Sequence, residues 1–522
     1  MTTEFRQLCA RIKTKNSNPV TGDFLEKTPA THNHQPKTED LPGLRRRTLM
    51  YDRMQELSRQ DMEKIHDAAM DLLKTTGVAF NDEEGLQIFR DNGFTVDGNK
   101  VFFAESAIQK ALETAPKRFT VHARNPEKSV EIGEDDFVFL PGYGTPFIME
   151  ANGNERQATM EDYDNFCKLI QTSPYIDMNG WMMVEPADMP HQTVHLDLNL
   201  SNMLLCDKPF MGSPVSKKAA LEGVEMAQIL WGGKEKIMDK TVSVSLINTL
   251  SPLQFSDEMI GSLIALARNN QACAVSSLIM AGGSGPVTLG GVMAQQNAEI
   301  LAGITLAQLV KPGAPVVYGS TSSAMDMKTG ALSIGAPELS KNIHLVTQMA
   351  RFYNLPSRSG GGLTDALCAD AQAGVESAVA LTTAARGGVN FILHSCGILG
   401  SYIAMSFEKF MVDEELCGMI RNMFTPVALT DEAIDLDVIK QVGIGGQYLT
   451  HPKTFKLCRT EFHRPSLMSR MNKDAWAKAG KKHIYQVAED KVAQRLAAYE
   501  KPEINPDIEK ELTDYVVKRK NK

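Results

Sequence analysis

Pro356-Ser-Arg-Ser-Gly-Gly-Gly-Leu-Thr-Asp-Ala-Leu-Cys-Ala-Asp-Ala-Gln-Ala-Gly-Val-Glu376 is the stretch whose reading decides the fold. A short apolar lead-in ends at Leu355, three glycines follow, then a polar segment, then an Ala-rich helical run. Glycine tolerates positive φ and lets another group approach the backbone closely. The pattern reads as a strand opening through a loop into a helix, the junction where β/α folds bind ligands. A purely structural turn stands beside that reading, because Gly-rich loops without fixed phosphate spacing are weak signals.

Outward from this junction the same rhythm repeats. Apolar runs predict strands over 178–184, 210–213, 241–246, 272–280, 316–319, 356–358 and 390–394, with an eighth over 402–405. Helical spacing predicts helices over 192–205, 218–231, 256–268, 292–310, 337–353 and 371–385. Leu339, Ile343, Val346, Ala350 and Tyr353 form one apolar stripe, and Pro337 suits a first helical turn. The fold class is therefore α/β, a (β/α)8 TIM-type barrel over 159–424, with an open doubly wound sheet as the alternative. Residues 1–50 lack periodicity and read as a mobile arm. Residues 51–158 read as an N-terminal α+β cap, in which Ser58 opens a helix without a complete capping box and three strands form a meander. Residues 425–522 read as a C-terminal helical extension.

Composition narrows the function. The 522 residues carry a net charge of −8, which argues against general nucleic-acid binding. No run of 18 apolar residues predicts a membrane span, and the N-terminus has no signal-peptide core. Eight scattered cysteines, none in C-x-x-C, read as reduced thiols of a cytoplasmic protein. There is no dinucleotide fingerprint and no P-loop. His191 and His195 are spaced for one helix face, but without an adjacent Glu they are a weak zinc signal, and no metal is expected. Asp413-Glu414-Glu415 reads as a solvated run with at most one side chain facing a pocket. His394 falls where the strand over 390–394 ends, on the rim where barrels place their chemistry, although a structural histidine is equally common there. Tyr143, Phe147, Trp181, Tyr318 and Tyr402 fall at strand ends or rim loops, where several ring faces could form a cage for a quaternary ammonium group, although core packing is the more common explanation for any single one.

Three segments together carry a family resemblance: 320–338 (Ser-Thr-Ser-Ser-Ala-Met-Asp-Met-Lys-Thr-Gly-Ala-Leu-Ser-Ile-Gly-Ala-Pro-Glu), 355–362 (Leu-Pro-Ser-Arg-Ser-Gly-Gly-Gly) and 370–374 (Asp-Ala-Gln-Ala-Gly). The chain resembles the trimethylamine:corrinoid methyltransferase family from about Leu57 to about His463. The resemblance implies a (β/α)8 barrel, a homo-oligomer, and a small corrinoid protein as partner, whose Co(I) corrinoid enters the barrel mouth and removes a methyl group. Archaeal trimethylamine enzymes carry pyrrolysine inside the barrel; this sequence has only standard residues, which places it with the non-pyrrolysine branch, some of whose members demethylate glycine betaine or related quaternary amines. The window 360–368 is the expected place of the pyrrolysine equivalent. The resulting expectation is methyl transfer from a glycine betaine-like quaternary amine to a corrinoid (cobalamin) held by a partner protein. His394 and Arg358 are expected to hold the substrate carboxylate; Trp181, Tyr143, Phe147 and Tyr402 supply ring faces; and Gly360, Gly361 and Gly362 leave room for the corrinoid and the substrate. The alternatives are trimethylamine or another methylated amine as donor, or a barrel that binds quaternary amines without turnover. A metal-dependent lyase or aldolase would need a ligand cluster or a Schiff-base lysine at a strand end, and the pattern offers neither.

Overall fold

The structure is a computed structural model that describes residues 53–521; the arm expected at 1–50 lies outside them. In chain order the barrel strands are β1 (Val138–Pro141), β2 (177–180), β3 (Phe210–Met211), β4 (Ser243–Asn248), β5 (Ala272–Ser277), β6 (Val316–Ser320), β7 (Ser357–Gly360) and β8 (Phe391–Cys396). Each is followed by a helix: α1 (Met160–Gln171), α2 (Val194–Leu205), α3 (Lys217–Leu230), α4 (Asp257–Arg268), α5 (Leu289–Val310), α6 (Pro337–Phe352), α7 (Ala371–Gly387) and α8 (Phe407–Met423).

Seven strands form one parallel sheet in the order β1-β8-β7-β6-β5-β4-β3. β2 closes it. The Asp177 amide donates to the Phe139 carbonyl at 3.0 Å, and the Met211 amide donates to the Asn179 carbonyl at 3.0 Å. Every strand is thus paired on both edges, which removes the exposed edge that an open sheet would carry. The alternation of strand and helix legible in the sequence is that of a (β/α)8 barrel.

One strand differs from expectation. The sequence predicts the eighth strand over 402–405, yet Ala404–Met405 joins a small rim sheet with Ile398–Leu399, Phe147–Met149 and Glu155–Gln157. The eighth barrel position belongs to β1, which the sequence pattern assigns to the meander of the cap. All four residues of β1 (Val-Phe-Leu-Pro) are buried, as befits a strand covered on both faces. A short apolar run does not reveal from sequence which neighbour it will pair with.

The flanking regions cover the barrel on the side away from its mouth and along its helices. The helices Arg59–Thr75, Glu83–Asp91 and Glu105–Thr114 share a core with α5 and the outward face of β4 to β6. Ser58 and Asp61 form a complete reciprocal capping box on the first of them, because Asp61 supplies the acid three positions on. A hairpin, Arg118–Val121 with Val130–Gly133, brings Phe119, Val121, Val130 and Ile132 into one cluster with Val244, Ala272, Val317 and Ile392. That cluster closes the N-terminal end of the barrel, each fully buried aliphatic or Phe side chain contributing roughly 1.5–3 kcal/mol. Helix Ile484–Ala497 packs on α8 and α1, and helix Pro506–Lys520 packs on α2 and α3. Among the described residues no helix is long and apolar enough to cross a membrane.

Candidate active site

The barrel interior changes character along its axis. Val138, Met178, Val244, Ala274, Val317 and Phe391 make the lower interior apolar. At the C-terminal ends of the strands it becomes polar, with Ser276 on β5, Arg358 on β7, His394 on β8 and Thr321 just beyond β6. The Arg358 guanidinium reaches across the barrel. Nη1 donates to Ser276 Oγ at 3.0 Å and to Thr321 Oγ1 at 3.2 Å, and Nη2 lies 3.2 Å from His394 Nε2. Gly319 permits this crossing: a Cβ there would stand 2.8 Å from Ser276 Oγ and 3.1 Å from Arg358 Cδ.

His394 sits at an irregularity in β8, where the register against β1 shifts between Ile392 and Cys396. Its φ is +62°, in the left-handed region that costs an L-residue roughly 1–2 kcal/mol. Bulges re-aim side chains, and strain of this kind collects at functional sites. Tyr402 has a φ of +75° in the loop after β8. That loop is held by Asp365, whose Oδ1 accepts from Ser401 Oγ at 2.6 Å and from the Ile334 amide at 2.7 Å.

Arg358 is 2% exposed, and no carboxylate among the described residues pairs with it. Burial draws its pKa down to about 10, opposed by the nearby Tyr402 and Tyr143 hydroxyls, so it remains a cation at neutral pH. Burial, and next the Arg358 charge, hold His394 well below the ordinary histidine range, so its ring is neutral. A guanidinium only donates, so Nε2 of His394 accepts and Nδ1 carries the proton. Nδ1 is buried without a partner; so are Arg358 Nε and Trp181 Nε1. Leaving such a donor unpaired costs about 1–3 kcal/mol, which an incoming acceptor would recover. Two of these three donors belong to the Arg358–His394 pair, and a carboxylate is the acceptor that suits a cation beside a neutral N–H.

The adjoining wall is aromatic. Trp181 follows β2, Tyr143 follows β1, and Tyr402 follows β8. Ring centroids are 6.3 Å apart for Tyr143–Trp181, 6.4 Å for Tyr143–His394, nearly perpendicular, and 4.8 Å for His394–Tyr402. Burial raises the hydroxyl pKa of Tyr143 and Tyr402, so both stay protonated. The mouth therefore has a cationic, N–H-rich wall from β5 to β8 and a ring-lined wall from β8 to β2.

The structure brings together Arg358, His394, Tyr143, Trp181 and Tyr402. Phe147 stands apart: it is half-buried on the rim sheet, packed on Met149, Ala366, Leu399 and Ala404, with no ring contact to the cluster among the described residues. Tyr318 points outward, its hydroxyl donating to Asn297 Oδ1 at 2.9 Å within the core behind the sheet. The role expected for Gly360, Gly361 and Gly362 also changes. A Cβ on Gly360 would meet Leu363 Cδ1 at 2.4 Å; on Gly361, Ser395 Cα at 2.8 Å; on Gly362, the Ser395 carbonyl oxygen at 2.6 Å. The room they leave is taken by the protein's own loop and by β8, so they serve close packing rather than a corrin ring. His191 is exposed ahead of α2, while His195 Nε2 contacts Glu222 Oε2 at 2.7 Å, so the two histidines do not converge.

The acidic run on α8 is not solvated. Asp413, Glu414 and Glu415 are all buried, and each is paired. Asp413 accepts from Lys409 Nζ at 2.5 Å and from the Gly397 amide at 2.9 Å. Lys409 also donates to the Gly362 carbonyl at 3.2 Å and to Ser377 Oγ at 2.8 Å. This buried pair ties the loops after β7 and β8 that carry the site. Glu414 binds Arg495, and Glu415 accepts from Ser466 and Leu467 amides. Sequence reading missed Ser276, Thr321 and Lys409. Thr321 lies inside the quoted segment 320–338, but nothing in its type marks it as an arginine partner.

The trimethylamine methyltransferase (MTTB) family model matches residues 26–522. A glycine betaine methyltransferase from Desulfitobacterium hafniense (strain Y51) is 45% identical over 463 residues, covering 89% of this chain and 96% of that one. A proline betaine:corrinoid methyltransferase from Eubacterium limosum is 33% identical, covering 86% and 94%. In three dimensions the monomethylamine methyltransferase of Methanosarcina barkeri superposes with a TM-score of 0.51 at 11% identity, covering 85% of this chain and 88% of that one, which supports the shared fold. The chain belongs to the trimethylamine methyltransferase family.

Proposed function

We propose that this chain takes a methyl group from a small quaternary ammonium carboxylate of the glycine betaine class and delivers it to the Co(I) corrinoid of a partner protein. The observation that carries the reading is the joining of two unlike walls: Arg358 and His394 with unpaired N–H groups, and next to them the rings of Tyr402, Tyr143 and Trp181. A betaine has the same polarity, with a carboxylate at one end and a trimethylammonium at the other. Names of relatives support it, since betaines figure in two of them.

Arg358 and the Nδ1–H of His394 receive the carboxylate in charge-assisted hydrogen bonds. The rings receive the methyl-bearing cation, worth about 0.5–2 kcal/mol for each well-placed face. Fixed at both ends, the substrate presents one methyl outward along the barrel axis, and such alignment supplies up to about 7–11 kcal/mol of the barrier. The corrinoid supplies the nucleophile: the C–N bond breaks with both electrons going to nitrogen, the methyl carbon bonds to cobalt, and Co(I) is oxidised to Co(III). A neutral tertiary amine leaves and no proton moves, so no acid or base is required of the site. Arg358, His394, Tyr143, Trp181 and Tyr402 all serve to bind and aim.

An exposed apolar arc flanks this opening. Leu250, Leu278, Met327, Leu367 and Ile403 are exposed, one beyond each strand from β4 to β8. Such an arc suits a partner that must seat a large, mostly apolar ring over the mouth and leave again.

The test is turnover. Purified protein with reduced cobalamin and glycine betaine, proline betaine, carnitine, choline or trimethylamine is followed by the visible spectrum, in which Co(I) and methylcobalamin differ. Conversion with a carboxylated donor, and little with choline or trimethylamine, is the expected result. Conversion with trimethylamine alone, or saturable betaine binding without any spectral change, would overturn the proposal.

A further inference from the structure

Residues 425–466 leave the end of α8 and return to its middle without burying a single side chain. The excursion includes the helices Asp431–Ile434, Leu436–Val442 and Pro452–Leu457, none of which has a buried residue. Yet the segment is rich in large apolar side chains. Val427, Leu429, Ile434, Leu436, Ile439, Ile444, Tyr448, Leu449, Phe455 and Phe462 are all exposed. Scattered exposed leucines are normal, but ten such residues within 42 positions form a patch that needs a cover. A segment of this length with no core of its own does not hold helices unaided.

The charges of the segment are segregated. Its first half, 425–442, carries Asp431, Glu432, Asp435 and Asp437 against Lys440, a net charge of −3. Its second half, 443–466, carries Lys453, Lys456, Arg459 and Arg464 against Glu461, a net charge of +3. Within the chain the halves are joined by one ion pair among the described residues, Lys453 with Asp435. The remaining charges of each half are available to another molecule. A surface with equal and opposite halves is complementary to itself when turned by a two-fold axis, which is the requirement of an isologous contact.

We propose that residues 425–466 are an exchange arm that packs against the same arm of a second copy of this chain, acidic half on basic half, with the apolar residues between them. Two observations favour a second copy over the corrinoid-bearing partner. First, α8 starts beyond β8, at the mouth, and ends where Phe424 packs on Phe137, directly before β1, at the opposite end of the barrel. The arm therefore departs from the face away from the site. Second, a methyl acceptor must dissociate between turnovers, whereas a segment with no buried residue needs a lasting partner, and lasting interfaces are the more apolar ones. The inference is independent of the methyl donor.

The test uses the full chain and its mass in solution, by light scattering and native mass spectrometry at micromolar concentration. Wild type is expected at twice the chain mass of 57.4 kDa or an even multiple of it. Two charge-reversal variants are compared: Lys453 left intact, with Lys456→Glu, Arg459→Glu and Arg464→Glu in one, and Asp431→Lys, Glu432→Lys and Asp437→Lys in the other. Each alone should fall to the next lower state, and mixing the two should restore the paired mass, since an arm with both halves net acidic then meets one with both halves net basic. Phe455→Asp with Ile444→Asp should also dissociate, with no recovery on mixing. A cooperative thermal unfolding transition confirms that the barrel is folded in each case, while the helicity of the arm itself is free to fall on dissociation. A monomeric wild type, charge variants that stay paired, or variants that dissociate and do not recover on mixing would each overturn the proposal. None of these results depends on turnover, so failure here is distinguishable from failure of the donor assignment.

Discussion

Arg358→Met separates recognition from folding in a single substitution. Arg358 is a buried cation without a carboxylate, and burial, opposed in part by the Tyr402 and Tyr143 hydroxyls, draws its pKa down from the ordinary guanidinium range to about 10. A displacement of that size corresponds to on the order of 3 kcal/mol of unfavourable desolvation in the empty protein. Methionine fills similar volume and carries no charge, so the melting temperature of the empty protein should rise. Recognition should move the other way. Removing one partner of a buried, hydrogen-bonded charge pair costs about 2–5 kcal/mol, roughly 30- to 4,000-fold in kcat/KM. That loss applies to donors with a carboxylate. A donor without one, such as tetramethylammonium, should change by no more than about threefold, because the rings that hold its charge are untouched. The assay is methyl transfer to cobalamin with glycine betaine and tetramethylammonium in parallel, together with a thermal melt. Wild-type affinity for the carboxylated donor should also fall above about pH 10, as the guanidinium loses its proton. An equal loss for both donors, or a lowered melting temperature, would show that Arg358 props up the barrel and does not read the substrate.

His394 gives a pH dependence of stability. Its folded pKa lies below the unfolded value near 6.5, so the unfolded chain takes up the extra proton. Stability is therefore full above about pH 6.5 and declines as the pH falls, by up to about 1.4 kcal/mol per unit, and His394→Gln should remove that share of the slope in urea titrations at pH 5 and 7. Tyr402→Leu should raise KM for betaine and for tetramethylammonium alike, by about 2- to 30-fold for a lost ring face; an effect confined to the carboxylated donor would place Tyr402 on the other wall. Lys409→Met strands Asp413 without its cation and should cost about 3–5 kcal/mol in chemical denaturation, whereas Lys409→Met with Asp413→Leu should recover most of it. Turnover should recover less than stability in that double variant, because Gly362 and Gly397 lose the anchors that hold the loops after β7 and β8.

What the sequence makes legible follows from how local each signal is. The helix stripes and apolar strand runs are local, and the barrel follows from their alternation. β1 escapes because its four apolar residues pair with β8 some 250 positions later, and sequence spacing carries no trace of that partner. Arg358 and His394 are legible because a polar residue closing an apolar run in a β/α fold lies at the mouth. Ser276 and Thr321 are not, since hydroxyl residues are common at strand ends whether or not an arginine reaches them. The run 413–415 misleads for a related reason: charge suggests solvent until Lys409, Arg495 and the amides of 466–467 are seen to meet it, two of those partners lying 50 or more positions away. The three glycines suggest a ligand because glycine reports close approach without naming what approaches, and here it is Leu363 for the first and Ser395 for the other two.

The two walls also give the reaction a direction. Before transfer the substrate is a zwitterion, matched by Arg358 at one end and rings at the other. Afterwards the nitrogen is neutral and the carboxylate is unchanged. A ring face that favours a cation by about 0.5–2 kcal/mol loses that advantage once the charge has gone, so the product is held at one end only. The grip is thus strongest on the state that still carries the methyl cation to be delivered. A carboxylate among the rings would hold the charged nitrogen harder and oppose its neutralisation during transfer. Two carboxylates send their field to these rings, and neither is aimed at them: Glu185, which reaches Tyr143, is exposed, and Asp365, which reaches Tyr402, accepts from Ser401 Oγ and the Ile334 amide. Polarisable faces in place of a fixed anion are what a leaving group that ends neutral requires.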